Sequence, residues 1–342
     1  MLETTETTLP LKAGFMARPA TMSDMEAAVT LLNRCAITMT GAPDTNLDEL
    51  ETGWTLPDFD LSASTRLVFN HGGRLVGMMV VHDLMNPVRP WVWGRVDPDF
   101  EGMGIGTYLM KWGKQRARQA IARAPEDARV VMRSGTVSTY QPAKDLFESL
   151  SMTLIRHFWR MVIELDTDLP EPQWPAGVTL RTFADLPDLR PVYRAVDEAF
   201  QDHWGHVDRP EEQGLRLWQQ WLDNNKHFDP SLWFLAMDGD DIAAMSLCKS
   251  ETPEDPQMGY VDTLGVRRPW RRRRLALALL HHSFRELYRR GKARAGLDVD
   301  ASSLTGATRL YEKAGMHVDR QYDTYELELR PGRDLTRQTL DE

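Results

Sequence analysis

Apolar residues along this chain recur at two spacings, three to four apart in some stretches and every second residue in others, and the patterns follow one another in the same order twice. In the second half, "LRPVYRAVDEAF" (189–200) and "EEQGLRLWQQWLDN" (211–224) have the helical period. Three strand-like segments come next, "LWFLAMDG", "DIAAMSLCKS" and "MGYVDTLGV", bounded by Gly, Asp, Ser or Pro. A helix is predicted from about Arg272 to Arg290, with Leu277, Leu280, Phe284 and Leu287 on one face. The strand "RAGLDVD", the helix "TGATRLYEKAG" and the strand "YDTYELELR" close the series. Strands on both sides of a crossover helix predict a mixed α/β sheet.

The first half repeats this order. "VDPDFEGMGIGTYLMKWG" from Val96 aligns with "VRRPWRRRRLALALLHHS" from Val266, which sets Gly106 on Ala276 and Leu109 on Leu279. "DLFESLSM" (145–152) matches "RLYEKAGM" (309–316), and each precedes a strand, "HFWRMVIELD" or "YDTYELELR". The openings "FMARPATMSD" and "VTLRTFAD" match as strand into helix. Such self-similarity marks a duplicated unit. Pro170, Pro172 and Pro175 in "DLPEPQWPAG" predict a stiff linker. The expected division is a first domain at 1–168, a linker at 169–175, a second domain at 176–331 and a polar tail at 332–342.

At 342 residues the chain is long enough for two domains that each bury a core. Its formal net charge is -9, although six arginines crowd into the stretch from Arg267 to Arg274. A nucleic-acid surface needs a basic field over a whole face, so no nucleic-acid partner is expected. Cys35 and Cys248 are too few for a disulfide framework or a closed zinc site, which predicts a reducing cytoplasm and no metal. The opening "MLETTETTLPLKAG" lacks the basic start and apolar run of a signal peptide, and no stretch approaches the roughly 20 apolar residues of a spanning helix. No membrane partner is expected, and the state is monomer or homodimer.

The turn between strand and helix carries the chemistry. Gly102, Gly104 and Gly106 stand where the strand ends and the helix begins. Glycine there lets the backbone approach a ligand, and the free N–H groups of the first helical turn make an anion site. Each bond to a charged oxygen contributes about 1.5–3 kcal/mol. A pyrophosphate is the expected occupant. A dinucleotide fold is not, because neither copy has a strand at its start with an acidic residue after the next strand.

Val-x-Pro-x-x-x-Gly-x-Gly-Ile-Gly-Thr-x-Leu from Val96, and Leu-Gly-Val-x-x-x-Trp-Arg-Arg-x-x-Leu-Ala-x-Ala-Leu-Leu from Leu264, resemble the acyl-CoA-binding motif of the GNAT N-acetyltransferase superfamily. Two copies in one chain resemble the tandem type of that superfamily, that of mycothiol synthase and related proteins. The resemblance implies tandem GNAT domains of the α/β class. It also implies acetyl-CoA as donor, no metal, and acetyl transfer to a primary amine of a small molecule or peptide. By the same resemblance, coenzyme A is held in the second copy by Leu264, Gly265, Val266, Arg271, Arg272, Arg273, Arg274, Leu275 and Ala276. In the first copy the corresponding residues are Gly94, Arg95, Val96, Gly102, Met103, Gly104, Ile105, Gly106 and Thr107. Arg271 stands where the pattern prefers Arg or Gln, whereas Arg272 and Arg274 replace glycines. In the first copy Glu101 holds the Arg/Gln place, where a carboxylate repels phosphate.

Moving an acetyl group from a thioester to an amine makes three demands. The amine must lose a proton, a backbone N–H at a bulge before the turn must hold the oxyanion, and the thiolate must gain a proton. Strand alternation in "GYVDTLGV" puts Tyr260, Asp262 and Leu264 on one face, which makes Asp262 a candidate base. Family position also allows Tyr260, Asp298 or Asp300. Tyr311 occupies the superfamily's general-acid place, on a helix whose inner face reads Ala307, Leu310, Tyr311, Ala314 and which Gly315 caps. In the first copy Val92 and Phe147 stand at the places of Asp262 and Tyr311, so that copy is expected to be degenerate and the second catalytic. His203 and Trp204, in "FQDHWGHVDRP", are candidate acceptor contacts together with Tyr260. The rival class is a non-catalytic acyl-CoA-binding or regulatory protein.

Overall fold

The computed structural model describes residues 11–336 except 57, 85, 304 and 305, so the end of the expected tail (337–342) lies outside the described residues. The chain forms two compact units that do not divide at the proline-rich stretch. One runs to Ile155 and takes in Asp323–Leu335; the other runs from Arg156 to Tyr322. Leu169 is buried in the second unit's core and Trp174 packs against it. Arg285 donates to the Leu169 carbonyl at 2.8 Å. Two large apolar side chains among the prolines thus dock the stretch that their stiffness alone would leave as a linker. The start of the expected tail is docked as well, in the first unit. There the Arg333 N–H meets the Asp127 carbonyl at 2.7 Å and the Arg333 carbonyl meets the Arg129 N–H at 2.8 Å.

The first unit contains β1 (Phe15–Arg18), α1 (Met25–Thr40), α2 (Leu47–Trp54), α3 (Leu61–Ser64), β2 (Thr65–Asn70), β3 (Leu75–His82), β4 (Trp91–Val96), α4 (Ile105–Arg118), β5 (Val130–Val137) and α5 (Gln141–Ser149). β6 (Thr153–Glu164) begins there and continues in the second unit. That unit adds β7 (Val178–Thr182), α6 (Leu189–Phe200), α7 (Glu211–Asn224), β8 (Trp233–Asp238), β9 (Asp241–Lys249), β10 (Met258–Val266), α8 (Leu275–Arg289), β11 (Arg294–Asp300), α9 (Ala307–Lys313) and the start of β12 (His317–Arg330). Strands run β1-β2-β3-β4-β5 and then the end of β12 in the first unit, and β7-β8-β9-β10-β11-β6 and then the start of β12 in the second. Each repeat therefore supplies a closing strand to the other's unit. The β6–β11 register is antiparallel and unbroken from Arg294 opposite Glu164 to Asp300 opposite Phe158.

In α8 the residues Leu279, Leu280, Phe284 and Leu287 have no exposed surface, while Leu277 is partly buried at the edge of the expected face. Each fully buried side chain of this size contributes about 1.5–3 kcal/mol. The helix stops at Gly291 (φ 81°), where the Lys292 N–H bonds the Leu287 carbonyl at 3.0 Å. α9 ends the same way at Gly315 (φ 95°), with the Met316 N–H on the Tyr311 carbonyl at 3.0 Å.

β4 runs parallel to β5 and β10 to β11, with α4 and α8 as the crossovers. Both pairings are short. β10 meets β11 only from Met258 to Tyr260, and β4 meets β5 only where Trp91 stands opposite Arg133. Beyond those points the strands part, and each unit has a cavity in the gap.

Candidate active site

The second unit's cavity, of about 270 Å³, lies between Val261, Asp262 and Leu264 of β10 and Leu297–Asp300 of β11. Phe200, Asp202, His203 and Trp204 close one side, Phe158 another, and Ser303, Ala307 and Tyr311 a third. β10 is bulged at Asp262: Val261 stands opposite Cys248 and Thr263 opposite Leu247, so Asp262 is the extra residue. The insertion inverts the alternation. Tyr260, Thr263 and Gly265 pair with Lys249, Leu247 and Met245, while Val261, Leu264 and Val266 pair with Cys248, Ser246 and Ala244. Tyr260 and Leu264 therefore lie on opposite faces, which corrects the expectation of one shared face.

Asp262 accepts a bond from the Lys249 ammonium at 2.6 Å, and its side chain is 44% exposed. Tyr260 is not on the cavity wall; the Arg160 guanidinium lies 5.1 Å from its ring. Burial, and then the charge of Asp298, raise its hydroxyl above the ordinary tyrosine value. Tyr311 is on the wall and buried, and among the described residues its hydroxyl has no hydrogen-bond partner. Burial alone pushes it up to about 12, so at neutral pH it is an O–H donor.

Two of the wall's other carboxylates are paired with arginines that sequence reasoning missed. Asp298 accepts from Arg160 Nε at 2.5 Å, and Asp300 from Arg156 Nε at 2.9 Å. Arg156 also lies over the Trp204 ring, 4.6 Å from its centre. Both arginines project from β6, the closing strand of the first repeat. Their spacing in "RHFWR" puts them on one strand face, a usable signal only once β6 is known to border β11. Asp202, almost fully buried, binds Arg268 and Arg271, and the hydrogen bond from Arg268 leads in holding its carboxyl at about 2.

The arginine run divides by partner. Arg267 pairs with Glu198 at 2.7 Å, Arg273 with Asp238 at 3.2 Å, and Arg268 and Arg271 with Asp202. Arg271 Nε also donates to the Val266 carbonyl at 3.2 Å. Arg272 and Arg274 are exposed and take no carboxylate among the described residues. Both have left-handed backbones, φ 64° and 65°, matching Gly102 (71°) and Gly104 (87°) in the first unit. The two turns thus share a conformation although one lacks glycine. Leu275 is buried beneath the turn, and Arg271–Ala276 lie off the cavity wall that Leu264 helps form. A left-handed non-glycine residue costs about 1–2 kcal/mol, and glycine costs the unfolded chain about 0.5–1 kcal/mol more entropy. Arg274→Gly is therefore expected to stabilise the protein by about 0.5–1 kcal/mol, measurable as a higher denaturation midpoint; a lower midpoint would contradict the strain.

The first unit's cavity, about 410 Å³, is lined by Gly94, Arg95, Val96, Gly102, Gly104, Ile105, Gly106 and Thr107, while Met103 is exposed and off the wall. Its Tyr311 counterpart, Phe147, is on the wall and packs on Tyr325 with ring centres 5.2 Å apart. Val92 is fully buried in the core, and β4 pairs with β3 without a bulge. Glu101 accepts a hydrogen bond from the Tyr140 hydroxyl, which ties the carboxylate down at the mouth of the turn. The Cys35 thiol donates to the Val96 carbonyl at 3.2 Å, and burial pushes it up to about 12, so it is no nucleophile at neutral pH.

Duplicated strand–turn–helix cradles beside a parted pair of parallel strands define an acyl-CoA transferase fold, and the Acetyltransferase (GNAT) family model matches the chain twice, at residues 30–150 and 189–316. The chain belongs to this family, as an acyltransferase with tandem GNAT domains that moves an acetyl group from acetyl-CoA to an amine. It is 31% identical over 267 residues to the mycothiol acetyltransferase of Streptomyces scabiei, covering 77% of this chain and 78% of that protein. The mycothiol acetyltransferase of Nocardia farcinica is 30% identical over 278 residues, covering 76% and 82%. A GCN5-related N-acetyltransferase from Sphaerobacter thermophilus, solved as a crystal structure, is 36% identical with a TM-score of 0.79, covering 95% of this chain and 99% of that one. A tandem GNAT protein from the clavulanic acid biosynthesis pathway, at 17% identity and a TM-score of 0.69, shares the fold over 93% of this chain. Among the described residues no helix is long and apolar enough to cross a membrane.

Proposed function

We propose that the second unit performs the transfer on a small-molecule amine and that the first unit holds acyl-CoA without turning it over. The carrying observation is the contrast between Tyr311, an unengaged hydroxyl on the second cavity's wall, and Phe147 in the first. In the second unit the backbone N–H groups of Arg272–Ala276 face the diphosphate, helped by the charge of Arg272 and Arg274. Leu264, Gly265 and Val266 pair with the pantetheine arm, and the bulge at Asp262 leaves backbone outside the ladder near the thioester carbonyl. Tyr311 protonates the departing thiolate. In the first unit the intact glycine turn forms part of the cavity wall. There Tyr140 engages the carboxylate of Glu101 that would otherwise face phosphate.

The name of the curated relatives, mycothiol acetyltransferase, favours an acceptor related to mycothiol. His203 and Trp204 supply the aromatic and polar side of its pocket. Two buried free cysteines suit a reducing cytoplasm. The test measures acetyl-CoA consumption against a broad panel of amino sugars, cysteine amides, polyamines and peptides, with calorimetry for stoichiometry. Turnover of a small-molecule amine with two acetyl-CoA bound per chain is expected. Binding with no turnover across the panel would favour the regulatory reading instead.

A further inference from the structure

Besides Tyr311, the titratable groups on the wall of the second unit's cavity are Asp202, His203, Asp262, Asp298 and Asp300. The four carboxylates are engaged by cations: Asp202 by Arg268 and Arg271, Asp262 by Lys249, Asp298 by Arg160 and Asp300 by Arg156. Only the imidazole of His203 has neither a hydrogen bond nor an ion pair among the described residues, and its ring leans on Phe200 with centres 4.2 Å apart. We propose that His203 is the general base, taking the proton from the acceptor's ammonium at the cavity wall. The proposal rests on the reading that this unit is the catalytic one.

The charged groups that bear on His203 are Arg271 from the phosphate turn, Asp202 and His206 from its own loop, and Asp300 from β11. Its side chain is exposed on the cavity wall, and the surrounding protein, and then the charge of Arg271, lower its pKa, so at neutral pH the ring is uncharged there. The wall thus presents one neutral acceptor and one neutral donor, His203 and Tyr311, which is the division that acid–base transfer requires. In the balanced step the ammonium gives one proton to His203, which passes it to solvent. The amine nitrogen then attacks the thioester carbonyl, and a C–N bond forms as the C–S bond breaks. Tyr311 protonates the sulfur, and the second proton leaving nitrogen restores the tyrosine. The products are the amide, free coenzyme A and one proton.

The experiment takes the best amine of the panel and compares the full-length protein with its His203→Gln, His203→Ala, Asp262→Asn and Tyr311→Phe variants from about pH 6 to 10. The His203 variants are expected to lose about 10²-fold in kcat/KM for the amine near neutrality, with acetyl-CoA affinity held within about twofold. The loss shrinks as the pH nears the amine's own pKa, where no base is needed. Added imidazole restores part of the His203→Ala rate, which a packing role would not allow, and in Asp262→Asn, whatever its rate, the acid limb of the pH profile persists. Wild-type rates in both His203 variants, failure of imidazole to rescue, or loss of the acid limb in Asp262→Asn instead would overturn the assignment. If Tyr311→Phe is dead in those cases, the unit's catalytic reading survives. If Tyr311→Phe turns over normally, or if no amine is turned over at all, that reading falls and takes His203 with it.

Discussion

Tyr311→Phe is expected to lower kcat by about 10²–10⁴-fold while acetyl-CoA affinity moves by less than about twofold. The substitution removes one oxygen whose hydroxyl has no partner among the described residues, so no buried bond is lost and the core around Ala314 and Met316 keeps its packing. Stability should therefore change by less than about 0.5 kcal/mol, which separates a chemical effect from an unfolding one. The kinetic pattern should be a fall in kcat and kcat/KM together, the mark of an interaction made in the transition state. With its hydroxyl at about 12, Tyr311 stays protonated across the working range. The parent enzyme should then show no alkaline decline attributable to this group below about pH 10. Unchanged turnover, measured at saturating acetyl-CoA, would remove Tyr311 from the mechanism.

Asp202→Ala should be the most disruptive single change near the turn. Asp202 is 3% exposed and joins the loop after α6 to Arg268 and Arg271. Losing it leaves two guanidiniums without their carboxylate; Arg271 keeps its bonds to the Val266 and Ala199 carbonyls, and at 52% and 31% exposure water recovers part of the loss. The expected cost is about 1–3 kcal/mol, with a raised KM for acetyl-CoA because Arg271 no longer steadies the turn. The pH dependence has a definite sign. The folded carboxyl, at about 2, lies below its unfolded value, so its contribution is complete above the unfolded value and fades as pH falls through the folded one. The gap in denaturation midpoint between parent and variant should be full at neutral pH and shrink between about pH 4 and pH 2. A gap that stays constant over that range would place the effect of the substitution elsewhere.

Much of the helical framework is legible in the sequence. The bounds that periodicity predicts for α6 and α7, 189–200 and 211–224, match those observed, because a helix's period of apolar residues is written into a dozen neighbouring positions. The duplication and the strand–turn–helix cradle are readable for the same reason, as is the cap at Gly315. Simple alternation puts Tyr260, Asp262 and Leu264 on one face and the fold does not, since one inserted residue flips every later side chain and a bulge leaves no mark in the pattern. The proline-rich stretch reads as a linker because stiffness is a local property, whereas the docking of Leu169 and Trp174 depends on a partner surface far along the chain.

Chain order alone therefore specified two α/β repeats, each with an anion-binding helix entrance, and the contrast of Tyr311 with Phe147. Periodicity and motif spacing are short-range and survive in one dimension. The folded arrangement decided which strand closes each unit, where β10 bulges, and which carboxylates the arginines meet, leaving His203 and Tyr311 unengaged at one cavity. Those outcomes depend on pairings between residues far apart in the chain, where packing and charge act through space and not along the backbone.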